Sequence, residues 1–224
     1  MKPVLLSLAL LAASGAQASI ITFEDVASGA VVTRAVSTDG LIGASVSASG
    51  GDGTARAFDT NDAVYEADLT APFLKDGTTK GARSPGNVLV VQEDKALADG
   101  LPDPSSAGGA ITFLFDAAVS FLGFELFDDV KVTITADTGA SLNRTVRQNG
   151  KYKKFRFDKN GANPFERVQS LTFDFNGGSG AIDRLRFAQA PRVEDDLQPV
   201  PVPAGLPLLL AGLAGLALLR RWGR

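Results

Sequence analysis

Glu24 and Asp25, in the stretch ITFED, and Asp183, in AIDRLRF, lie far apart in the sequence but in similar apolar, strand-like surroundings. Asp25 has the parity of Ile21 and Phe23, and Asp183 that of Leu185 and Phe187. Alternation therefore predicts both carboxylates on the core side of their strands. A carboxylate there is costly unless it is paired or bound to a metal. Calcium takes about 6–8 oxygen ligands, part of which Glu24, Asp25, Asp183 and loop carbonyls could supply. Two other readings stay open: acids at frayed strand ends in water, or an arginine partner for Asp183.

The remaining chemistry is narrowed by what the chain lacks. Its 224 residues include no histidine and no cysteine. That removes Ser-His-Asp and Cys-His catalysis and every zinc site built on those ligands. Carboxylate chemistry of the glycosidase kind remains, or lysine and tyrosine, with Glu125, Asp128, Asp129 and Asp174 as the carboxylate candidates on or beside strands. Sequence alone brings no two of them to a working separation. SGGDGT (49–54) and NGGSG (176–180) lack the strand-loop-helix context of phosphate loops and read as turns. KYKKFRF (151–157), with Arg144 and Arg147 nearby, is a basic patch. It marks either a solvated strand face or a surface for anionic polysaccharide. The net charge of -3, and the lack of a basic stripe interleaved with aromatics, predict no nucleic-acid binding.

The elements that must position these residues are strands. Segments 20–23, 41–48, 87–92, 110–115, 119–127, 130–136, 152–157, 168–175 and 181–187 are rich in Val, Ile, Thr and Phe, and several alternate cleanly. Residues 31–36 form a further expected strand, and 49–108 reads as long loops or short strands. Gly, Asp, Asn and Pro clusters separate most of these segments. No stretch between the two ends carries a helical stripe of three turns. The expectation is an all-β fold, an antiparallel β-sandwich of jelly-roll-like form. Its core candidates are Ile111, Phe113 and Phe115; Leu122, Phe124 and Leu126; Val130, Val132 and Ile134; and Leu171, Phe173 and Phe175. Fourteen phenylalanines against one tryptophan and two tyrosines suit a packed interior better than a sugar-stacking platform.

The ends read differently. Residues 1–18 carry Lys2, an apolar run from Val4 to Ala13, and small residues at Ala16 and Ala18. This predicts a signal peptide cut by signal peptidase after Ala18. A β-domain over 19–188 is followed by a polar, acidic, proline-bounded linker over 189–199. From Val200 to Leu219 no residue is charged, and about 20 such residues suffice for a helical membrane span. Arg220, Arg221 and Arg224 follow, with Trp222 placed for the membrane interface. The arginines are expected to stay in the cytoplasm, which puts the domain across the inner membrane.

The tail 200–224, VPVPAGLPLLLAGLAGLALLRRWGR, resembles the PEP-CTERM class of bacterial sorting signals, in particular the VPLPA-CTERM subgroup. Val200, Pro201, Val202, Pro203, Ala204 and Gly205 stand on the sorting motif, with Val202 where the subgroup usually has Leu. Arg220, Arg221 and Arg224 form the basic stop. The resemblance implies a transient membrane anchor, processing by an exosortase-type protease, and delivery to the cell surface or extracellular matrix. ITFED and AIDRLRF resemble the first and last strands of jelly-roll domains common in this class, several of which hold a structural Ca²⁺ between them. On this reading Glu24, Asp25 and Asp183 are the metal ligands. The expected function is non-catalytic: a structural, adhesive or exopolysaccharide-binding matrix component. The alternatives are a carbohydrate-active hydrolase with paired carboxylates and a permanently anchored envelope protein.

Overall fold

The computed structural model describes residues 18–61, 69–77, 82–93, 103–157 and 163–190. The signal-peptide reading, apart from Ala18, and the linker beyond Ala190 lie outside the described residues. So does the whole tail from Val200 to Arg224.

The described chain is all-β, with no α-helix among the described residues. Twelve strands follow in order: β1 (Ser19–Ile21), β2 (Arg34–Val36), β3 (Gly43–Ser49), β4 (Ala55–Asp59), β5 (Leu74–Lys75), β6 (Asn87–Val91), β7 (Ala110–Phe127), β8 (Lys131–Ala136), β9 (Ser141–Thr145), β10 (Lys151–Arg156), β11 (Val168–Asp174) and β12 (Ala181–Gln189). Their main path runs β4-β6-β12-β7-β11-β8-β9. All the strand pairings are antiparallel except the short β5–β10 contact.

β7 organises this arrangement. The sequence predicts two strands here, 110–115 and 119–127, but they form one of 18 residues. Asp116 and Ala117 between them are exposed yet stay extended, and Asp116 forms an ion pair with Arg34 of β2. The first part of β7 pairs with β3 and β11, and the second with β10 and β12. β4 (ARAFD) is one of the short strands allowed for in the irregular region 49–108. β9 (SLNRT) was missed, having no apolar alternation because it is an edge strand that pairs only with β8.

Most buried apolar side chains gather in one large core built from β1, β3, β4, β6, β7, β8, β11 and β12, with Phe113, Phe121, Phe124, Phe173 and Phe187 fully enclosed. A second, smaller core holds Phe58, Leu69, Phe73, Val88, Val90, Phe127 and Ala181. Neighbours along β6 alternate between the two: Leu89 and Val91 belong to the large core, Val88 and Val90 to the small one. This strand is thus buried on both faces, as its continuous apolar run VLVV requires.

Two local faults in the pairing of β7 with β12 decide which face the neighbouring side chains take. At Gly123 (φ 145°) an extra residue in β7 shifts its register against β12. A β-carbon at this glycine would overlap the carbonyl oxygen of Phe155 on β10, so the close approach of the two strands requires glycine. The shift corrects the predicted face. Phe124 and Leu126 do enter the core, but Phe121 joins them and Leu122 is only half-buried. The second fault, at Arg184, shapes the site described next.

Candidate functional site

β12 carries an extra residue between Asp183 and Arg186, and Arg184 sits there with φ 49°. A non-glycine residue in this left-handed conformation costs on the order of 1–3 kcal/mol. Its effect is to change parity. Ile182, Leu185 and Phe187 all face the large core, whereas Asp183 faces the other way with Ala181. The alternation that places Asp183 beside Leu185 and Phe187 is therefore wrong about the face, because it counts through a bulge. Asp183 is nevertheless fully buried.

Across the ladder, Asp183 stands opposite Glu125 of β7, and Glu125 stands opposite Lys154 of β10. Facing residues in neighbouring strands have β-carbons about 4.5–5.5 Å apart, so the three form one row. Glu125 is buried and held by two cations: Arg83 Nε lies 2.9 Å from Oε2, and Lys154 Nζ lies 3.4 Å from Oε1. Neither side-chain oxygen of Asp183 accepts a hydrogen bond. Its nearest cation is the Nε of Arg184 at 3.8 Å, and the Arg184 backbone N–H is close without hydrogen-bond alignment. Burial pushes the Asp183 carboxyl up to about 7, outweighing Arg184; the negative charges of Glu125 and Glu24 push the same way. Two carboxylates facing each other in a low-dielectric site cannot both stay charged cheaply.

Glu24 is placed by the turn that follows β1, closed by the Val26 N–H donating to the Phe23 carbonyl. Asn87, opening β6, ties this turn down. Its side-chain amide donates to the Phe23 carbonyl at 3.2 Å and to the Val26 carbonyl at 2.6 Å. Its backbone N–H reaches Glu24 Oε2 at 3.4 Å. Gly86 (φ 81°) has no room for a β-carbon beneath the Glu24 carboxylate. The turn sends Asp25 into solvent, contrary to the parity argument, since alternation holds through buried Phe23 and ends where the turn begins at Glu24.

The structure therefore separates the three acids singled out in the sequence. Glu24 and Asp183 are near enough to interact electrostatically, and Asp25 is exposed. Among the described residues no group of three or more acids is arranged to hold a metal ion. The orphaned oxygens of Asp183 and the carboxylate of Glu24 are suitable hard donors for calcium. Glu125 supplies negative charge behind them, already shared with Arg83 and Lys154.

Glu125 was also a candidate for carboxylate catalysis, but Asp183 was not paired with it, because register across β7–β12 is not visible in a sequence. Asp128 is buried in a left-handed turn, where Ser179 Oγ donates to its Oδ2 at 3.3 Å. Asp129 and Asp174 are exposed, and nothing brings them together. Arg83 and Asn87, which hold Glu125 and the Glu24 turn, carried no motif to single them out. Comparison with known proteins finds no matching family model, no matching curated protein and no matching solved structure.

Proposed function

We propose that this is an exported, surface-sorted β-sandwich protein without catalytic activity, serving as a structural, adhesive or polysaccharide-binding component of the extracellular matrix. The tail resembling VPLPA-CTERM signals supports transient anchoring and processing by an exosortase-type protease. The way β7 passes from one group of partners to the other supports a jelly-roll-like pair of sheets over a common core. The observation that carries the non-catalytic reading is the burial of the facing acids, with Glu125 only 1% and Asp183 0% exposed. A glycosidase needs its two carboxyls open to a sugar and a water. The hydrolase remains a second reading for one reason: two carboxyls do converge, and one of them has a raised pKa.

Intact mass of the protein recovered from the cell surface tests the sorting half of the proposal. A mature chain lacking both residues 1–18 and the hydrophobic stretch after Pro207 is expected. A surface form that keeps residues 206–224 would show permanent anchoring instead.

For buried Asp183 and exposed Glu24, the reading is a structural Ca²⁺ held by these two acids and neighbouring carbonyls. Bound to the folded state alone, calcium at 100 times its Kd would add about 2.7 kcal/mol. At roughly 2–4 °C per kcal/mol for a domain of this size, Tm should rise visibly over that in chelator. Identical melts with calcium and with chelator would remove the ion and leave a proton as the partner of Asp183.

A further inference from the structure

From residue 138 to residue 157 the chain carries six lysines and arginines and no acid, in a protein whose overall charge is -3. This stretch contains β9, the crossing to β10, and β10 itself. β9 pairs with β8 and β10 with β7, so the basic segment wraps one margin of the fold.

Arg144 is the unusual member. It shares the parity of Leu142, which packs on the large core, so its side chain leans inward over the aromatic edge of β10. Its Cζ stands 5.6 Å from the ring centre of Phe155 and 5.3 Å from that of Phe157. Lys153 Nζ lies over the same Phe155 ring at 5.8 Å. Phe155 itself is stacked on Phe124 of the core, at 5.2 Å between centres. The guanidinium is partly desolvated, which lowers its pKa, yet its hydrogen bond is only to the adjacent Asn143 carbonyl. Among the described residues no carboxylate pairs with Arg144, Arg147 or Lys151. A half-buried arginine normally has a counter-ion, because desolvating a charge without one is unfavourable.

We propose that the margin formed by Arg144, Arg147, Lys151 and Lys153 binds an acidic polysaccharide, with the carboxylate of a uronic-acid unit completing Arg144. This rests on the polysaccharide-binding form of the proposed function and names the chemical class of its ligand. A guanidinium held over aromatic rings, with Nη1 donating to the Asn143 carbonyl, still has N–H groups on Nε and Nη2 for a bidentate carboxylate. Lys153 brings a second charge beside it, although Asp76 shares that charge at 3.3 Å. Nucleic acid fits less well. Phe155 and Phe157 lie under the cations, and among the described residues no aromatic ring is fully exposed for a base to stack on. The strongly acidic remainder of the chain also repels a dense phosphate backbone.

The test uses the full-length chain in mild detergent, with chelator present, on immobilised alginate, neutral dextran and single-stranded DNA. Alginate should be bound, more weakly as salt rises, with dextran and DNA left behind. Losing one charge-assisted contact of about 1.4 kcal/mol lowers affinity tenfold, which is the change expected for Arg144→Gln. Arg34→Gln, on β2, removes the same charge elsewhere and should leave binding within about twofold, too little for a direct contact. If Arg144→Gln lowers Tm, the pair Arg147→Gln and Lys151→Gln, one exposed and one half-buried and neither in the core, gives the same reading. Equal losses at Arg34 and Arg144, or DNA held as tightly as alginate, would overturn the proposal as nonspecific charge attraction. Binding to dextran alone, unaffected by Arg144→Gln, overturns it while leaving polysaccharide binding intact. Binding to none of the three overturns both.

Discussion

Asp183→Asn should make the protein more stable, not less, when calcium is chelated at pH 8. The carboxyl of Asp183 is pushed up to about 7 in the folded protein from an ordinary 3.8. A raised carboxyl favours the fold fully when both states are protonated, below about pH 4. As pH rises the unfolded chain releases this proton first, and the folded state loses ground until its own carboxyl ionises near pH 7. Over that window the site costs roughly 4 kcal/mol, from about three pKa units at 1.36 kcal/mol each. Asparagine has nearly the same shape and no charge to desolvate, so it should recover most of that amount, a Tm gain on the order of 10 °C. The same change should abolish any rise in Tm on adding calcium. Parallel melts of both proteins from pH 4 to pH 8 in chelator check this. A wild-type Tm that does not fall relative to the asparagine variant across that range would mean that Asp183 has a partner in the fold beyond Arg184.

The opposite sign is expected at Phe121. Its ring is fully buried and lies among Phe124, Phe157, Phe165, Phe173 and Phe187, at centre distances of 5.2–6.0 Å. Its backbone is pinned on both sides: its N–H donates to the Phe165 carbonyl, and its carbonyl accepts from the Asn163 amide, each at 2.9 Å. The walls of the resulting void therefore have little freedom to collapse. Phe121→Ala should cost about 3–5 kcal/mol, again on the order of 10 °C in Tm, measured by urea unfolding and calorimetry. Phe155→Ala, at a half-buried ring, should cost clearly less. A loss below about 1 kcal/mol at Phe121 would mean that the aromatic cluster is loosely packed.

Both predictions turn on residues whose surroundings the sequence conveyed only in part. The strands were legible where alternation is strong, as in ITFLF and VKVTITA, because side chains of period two with β-branched members fit a half-buried pleated surface and no helix face. β9 was not legible, since an edge strand that faces water needs no apolar pattern. Parity failed at three places for one physical reason: it assumes an unbroken ladder. The bulges at Gly123 and Arg184 moved Phe121 into the core and turned Asp183 to the opposite face, and the turn after β1 released Asp25 to solvent. A glycine in the strand at 123 was the visible warning of the first. Arg184, an arginine in a left-handed conformation, gave none. Nor could any pattern show that Asp183 and Glu125 face each other, because that pairing depends on register between strands far apart in the chain.

The last strand also bears on when this protein can fold. β12 pairs with β1, β6 and β7, so it is hydrogen-bonded to the beginning, the middle and the long central strand of the domain. Such long-range pairings must await the whole chain and make folding slow. A nascent chain whose residues 181–189 are still inside a ribosome or a translocation pore lacks the partner on which the rest of its sheet closes. On the proposed export route the domain would thus travel as an open thread and close only after crossing. On that same route the residues beyond Ala190 would act as a tether, keeping the slow reaction at the membrane until the fold is complete.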